Sequence, residues 1–98
     1  MRIYGIIWKN KFAGKIVNKH NVTIEEVEDI LFSKPFIRMG EKGRVKDENV
    51  YVAYGQTEAG RYLVVFFILK RRNTALPISA RDMTLLERRY YNEQKEAN

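Results

Sequence analysis

Apolar residues recur along this chain with two rhythms, one of period two and one near 3.6, and the places where the rhythm changes mark its elements. Ile3 to Trp8 is β-branched and aromatic and reads as a strand. Asn10 to Lys19 carries Phe12, Ile16 and Val17 at helical spacing, with Gly14 as its weak point. Asn18 to Asn21 is a polar break. Thr23-Ile24-Glu25-Glu26 then forms a capping box, in which the Thr23 hydroxyl and the Glu26 carboxylate each serve the other's backbone N–H. Val22 and Val27 can close a hydrophobic staple across it. Ile24, Val27, Ile30 and Leu31 share one helical face. Pro35 ends that helix and starts an extended piece, Phe36 to Met39.

Gly40 to Glu48 is a polar loop. Asn49 to Thr57 alternates, with Val50, Val52 and Tyr54 on one side, and Glu58-Ala59-Gly60 is a tight turn with Gly60 at a positive φ. Arg61 to Leu69 is apolar on both faces, which predicts an internal strand covered on both sides. Lys70-Arg71-Arg72-Asn73 makes the next turn. Ala75 to Arg81 is a further strand, and Pro77 within it predicts an edge or a bulge. Thr84-Leu85-Leu86-Glu87 is a second capping box, opening a helix to about Gln94, after which the chain frays. Short turns between successive strands predict an α+β fold: an antiparallel sheet of four to five strands with three helices packed on it.

The length of 98 residues fits a single domain, 1–98. Hydrophobic residues at 45% against 31% charged mark a globular chain and not a disordered one. The absence of cysteine removes disulfide and thiolate chemistry and fits a reducing, cytoplasmic setting. The apolar runs Met1 to Lys9 and Tyr62 to Leu69 are too short for a signal segment or a membrane span.

The net charge of +6 favours an anionic partner, and its distribution says more. Lys9 to His20 holds four lysines and no acid, Asn21 to Leu31 four acids and no base, and Arg61 onward eight Lys or Arg against four acids. These runs are either solvated faces or a docking surface. One histidine without cysteine cannot build the usual zinc site, and no phosphate-cradling glycine loop is present, so neither a metal nor a cofactor is expected.

A cationic surface with a single histidine suits one reaction in particular. RNA brings its own nucleophile, the 2′-hydroxyl, so a protein need only move protons and stabilise the phosphate. His20 can carry a proton near neutral pH, or can simply sit at a helix C-terminus as a dipole partner. Arg61 and Arg81, at strand ends, can hold phosphate or form salt bridges to Glu58, Asp82 or Glu87. These three side chains are expected to converge on one groove. Lys19, Lys70, Arg71, Arg72 and Arg88 are candidate substrate-binding cations. The tyrosines can stack bases or fill the core.

Lys19-His20-x-Val22-Thr23-x-Glu25-Glu26, then Pro35, then Tyr54-Gly55-Gln56-Thr57-Glu58-Ala59-Gly60-Arg61, then Ile78-Ser79-Ala80-Arg81, then Glu87-Arg88-x-Tyr90, resembles in order and spacing the BrnT family of toxins. The resemblance implies a RelE-like fold, a metal-independent endoribonuclease that inhibits translation, and neutralisation by a cognate DNA-binding antitoxin in a hetero-oligomer. It carries the family's catalytic positions onto His20, Arg61, Arg81 and Glu25 or Glu26. Two departures stand out: Asn49-Val50 replaces a Glu-Arg pair of many relatives, and Leu76 stands where many have arginine. The alternative is a catalytically inactive module of the same fold that binds RNA or the antitoxin. A DNA-binding regulator ranks last, because no helix-turn-helix or ribbon-helix-helix spacing appears.

Overall fold

The computed structural model describes residues 1–40 and 48–97, so most of the predicted loop from Gly40 to Glu48 lies outside the described residues. In chain order the elements are β1 (Gly5–Ile6), α1 (Asn10–His20), α2 (Ile24–Phe32), β2 (Phe36–Met39), β3 (Val50–Gln56), β4 (Tyr62–Lys70), β5 (Thr74–Asp82) and α3 (Leu85–Ala97). The strands form one sheet in the order β1-β5-β4-β3-β2. β2 to β5 pair antiparallel, as expected, but β1 pairs parallel to β5, so the sheet is mixed. β1, the first strand in the chain, thus forms an edge of the sheet beside β5, the last. β1 is also shorter than the Ile3 to Trp8 run suggested.

Local signals explain the boundaries. α1 runs through the polar residues Asn18 to His20 and stops at Asn21, which adopts φ 55° and returns its N–H to the Ile16 carbonyl. The Thr23 box forms in both directions, at 3.1 and 3.0 Å. The Thr84 box does the same at 3.1 and 2.8 Å, and α3 continues to Ala97, past the predicted end. Gly60 has φ 99° and donates to the Thr57 carbonyl, closing the β3–β4 turn. At Pro77 the predicted bulge appears: Phe66 faces Ser79 while Phe67 faces Pro77, leaving Ile78 as the extra residue.

The sheet's two faces are built differently. α1 and α2 cover one, where Leu63, Val65 and Phe67 of β4 pack against Ile16, Val27 and Ile30. Here β3 contributes Ala53 and Gly55, and a Cβ at Gly55 would lie 3.0 Å from Ile30 Cδ1. The missing side chain is what lets α2 approach. On the other face Val52, Tyr54 and Val64 meet Tyr90 and Tyr91 of α3 in an aromatic cluster, with Tyr90 centred 5.4 Å from Tyr54 and 5.7 Å from Phe36. α3 has no buried residue, and its cover is partial. β4 is internal as predicted, but Phe66 and Ile68 are only half-buried, so the expectation that both its faces are closed holds for one of them.

Candidate functional site

Each face carries an arginine clamped to the glutamate of a capping box. At the α1–α2 junction the turn Thr57–Gly60 sets the position of Arg61. The buried Thr57 hydroxyl accepts the Arg61 N–H at 2.9 Å, and the Glu58 N–H donates to Asp29 of α2. The Arg61 guanidinium donates through Nε and Nη2 to both oxygens of Asp82 (2.8 and 3.1 Å), and through Nη1 to the Asn21 carbonyl (2.9 Å) and Glu26 (3.0 Å). Its hydrogen bonds to Asp82 raise its pKa above the ordinary value and hold the Asp82 carboxyl below its own. Two carboxylates surround one guanidinium, so this spot offers an incoming phosphate no net positive charge.

The second clamp uses Arg81, which donates from Nη1 and Nη2 to Glu87 at 2.7 and 2.9 Å and from Nη1 to the Asp82 carbonyl. That pairing raises the Arg81 pKa and lowers that of Glu87. Arg81 also lies 5.5 Å over the Phe66 ring. Because Arg81 and Asp82 are adjacent on β5, their side chains leave on opposite faces: Asp82 faces Leu63, and Arg81 faces Val64.

The expected convergence of His20, Arg61 and Arg81 on one groove is therefore corrected. His20 and Lys19 end α1 beside Asn21, on the Arg61 side, while Arg81 belongs to the α3 side. His20 is half-buried, and its side chain makes no hydrogen bond or ion pair with a described residue. Glu26 caps α2 and binds Arg61 with the same oxygen. Of the basic hairpin, Lys70 reaches Glu48 at 3.9 Å, while Arg71 and Arg72 are exposed at the tip. Arg88 stacks 4.1 Å from the Tyr62 ring centre on the α3 side.

Beside α3 the uncovered sheet forms a groove of about 530 Å³. Its floor is a cross-strand row, Arg38–Val52–Phe66–Ser79, with Val50 and Ile78 alongside. Val50 and Leu76, the two departures from the family pattern, flank Ile68 in the next row, which leaves that end apolar. A neighbouring hollow of about 460 Å³ is lined by Arg38, Tyr54, Leu86, Glu87 and Tyr90. Sequence reasoning missed Arg38. Its signal was a lone cation in the run Phe36-Ile37-Arg38-Met39, but its face became known only with the pairing of Arg38 to Val52.

Among the described residues no group of three or more His, Cys, Asp or Glu side chains could hold a metal ion, and no helix is long and apolar enough to cross a membrane. Compared with protein families, residues 8–87 match the model described as the ribonuclease toxin BrnT of type II toxin–antitoxin systems. No curated protein matches the chain.

Proposed function

This chain belongs to the BrnT family of ribonuclease toxins of type II toxin–antitoxin systems, and from that premise we propose that it cleaves RNA internally, without a metal ion, and thereby inhibits translation in the cytoplasm. In such a cleavage the 2′-oxygen attacks the adjacent phosphorus as its proton is removed. The 5′-oxygen leaves with a proton, and a 2′,3′-cyclic phosphate and a 5′-hydroxyl remain. The protein's share is to hold the phosphate and assist the two proton transfers.

The observation that carries the placement is the open groove beside α3, whose floor includes Phe66, the ring that Arg81 overlies, and offers an apolar surface on which bases can lie. Arg81 has one carboxylate partner where Arg61 has two, so its charge is the more available to a phosphate. Glu87 and Tyr90 line the adjoining hollow and are the groups placed to move protons there. Glu87, kept ionised by Arg81, can accept a proton only weakly, so most of the rate would come from phosphate stabilisation. Arg88, Lys70, Arg71 and Arg72 then act as outlying cations along the RNA, while Lys19 and His20 stand on the Arg61 side of the sheet. Arg61 and Glu26 hold α2 to the sheet. Family membership also implies an antitoxin partner, and an acidic antitoxin segment lying over the same cations would block the groove in a hetero-oligomer.

One observation favours the inactive binding module: the only histidine lies off the groove. Incubating the purified chain with end-labelled RNA in a chelator separates the readings. Cyclic-phosphate ends are expected, with Arg81→Ala slower by about 10²- to 10³-fold and His20→Ala little changed. Loss of cleavage in His20→Ala but not Arg81→Ala would move the site to the α1–α2 side. RNA bound but uncut would favour the binding module.

A further inference from the structure

We propose that Arg38 holds a further RNA phosphate in the groove, beside the one assigned to Arg81, and is aimed by the Tyr54 hydroxyl; this rests on the placement of RNA beside α3. Arg38 stands where the groove and the adjoining hollow meet and lines both. A chain running from one to the other must pass its guanidinium. Its Nε donates to Tyr54 Oη at 3.0 Å and its Nη1 to the Met39 carbonyl at 3.3 Å, and the guanidinium carbon lies 5.6 Å from the Tyr54 ring centre.

These partners are neutral, and among the described residues no carboxylate pairs with Arg38. Arg61 pairs with two carboxylates and Arg81 with one. Arg38 thus brings a charge to an open groove with an apolar wall, where an anion is attracted most strongly. Tyr54 supplies the other requirement. It is buried to 2% exposure and wedged between Phe36 and Tyr90, so its hydroxyl is a fixed point. A guanidinium held through Nε presents its Nη edge in one orientation, and that edge matches two phosphate oxygens. Arg38 is exposed on a four-residue edge strand, and its contacts to Tyr54 and the Met39 carbonyl leave its charge without a carboxylate partner among the described residues.

The test is binding of the full chain to a short, mixed-sequence, fluorescent oligoribonucleotide, 2′-O-methylated so that it cannot be cut, across a salt series. Arg38→Ala should weaken binding by roughly tenfold to a hundredfold and flatten the slope of log affinity against log salt by about 0.7, one single-strand phosphate. Arg38→Lys should keep the slope and recover only part of the affinity. Tyr54→Phe, which retains the ring, should lower affinity with the slope unchanged. A chemical melt of each variant checks that the fold is intact. If the parent chain binds the probe and Arg38→Ala matches it in affinity and slope, Arg38 is not a phosphate site, although the ribonuclease reading stands. A parent chain that neither binds the probe nor cuts unmodified RNA would overturn that reading as well.

Discussion

The two faces of this sheet are made from alternate residues of the same strands, yet one is a sealed core and the other is left partly open. Under α1 and α2, Leu63, Val65 and Phe67 have no exposure, and small residues at Ala53 and Gly55 let a helix settle close. Under α3 the same strand offers Val64, Phe66 and Ile68, and the cover ends before Phe66. α3 reaches the sheet through tyrosines, whose rings span a wider gap and leave space beside them. Stability is concentrated on the first face. The second keeps an apolar floor with Arg38 and Arg81 beside it.

Neighbouring residues of β4 give the sharpest test of that difference. Phe67→Ala should cost about 3–5 kcal/mol, the usual loss for a sealed aromatic, because it opens a cavity that neither helix can fill. Phe66→Ala, half-buried on the groove, should cost about 1–2 kcal/mol. Urea unfolding of both variants reads the contrast. Phe66→Ala should also weaken RNA binding, since it removes the groove floor and the ring beneath Arg81. Equal stability losses at the two positions would abolish the distinction between the faces.

The clamps differ as the faces do, and pH separates them from the hydrophobic core. Glu87 and Asp82 both have folded-state pKa values below their ordinary values of 4.5 and 3.8, each through hydrogen bonds from an arginine. A lowered carboxyl value adds stability that is present above the ordinary value and is lost as pH falls through the folded one. The raised arginine values matter only in strong base, outside the working range. Glu87→Gln keeps the capping box but loses the charge. At neutral pH it should therefore be less stable by about 1 kcal/mol, a figure held down by partial exposure. The gap should close as the medium is acidified below pH 4.5. A gap unchanged by acid would show that the Arg81 clamp contributes through packing and not through charge.

Much of this architecture was legible because it is local. Both capping boxes, the Pro77 bulge, the positive φ at Gly60 and the Val50–Val52–Tyr54 face follow from nearest-neighbour chemistry. What the sequence hid is non-local. The parallel pairing of β1 depends on which strand it meets after the whole sheet is laid down. The separation of Arg61 from Arg81 depends on register: Arg81 and Asp82 lie side by side in sequence but serve opposite faces. Salt bridges to Asp82 and Glu87 were among the alternatives open for the two arginines, and both form. Arg38 was passed over because a single cation in a short strand has no meaning until its partner strand is known.

The smallest expected effect lies at the β4–β5 hairpin tip, where stability and binding can be set against each other. Arg71–Thr74 is closed by the Thr74 N–H on the Arg71 carbonyl, with Arg72 at φ 57° and Asn73 at φ 52°, the signature of a type I′ turn. Asn73 suits that geometry and also donates to the Arg2 carbonyl, tying down the N-terminal segment. Arg72 does not suit it: a long side chain in the left-handed region costs about 1 kcal/mol relative to glycine. Its exposed side chain makes no hydrogen bond or ion pair with a described residue to offset that cost. Arg72→Gly should therefore stabilise the fold by about 0.5–1 kcal/mol, less than the steric relief alone because glycine gains freedom in the unfolded chain. For a domain of this size that is a rise in Tm of about 2–8 °C. The same variant removes a cation. If the tip touches RNA, the salt slope of binding should flatten by up to about 0.7 as the protein becomes more stable. A stabilised variant with unchanged RNA binding would confine recognition to the groove and leave the hairpin tip as a surface turn.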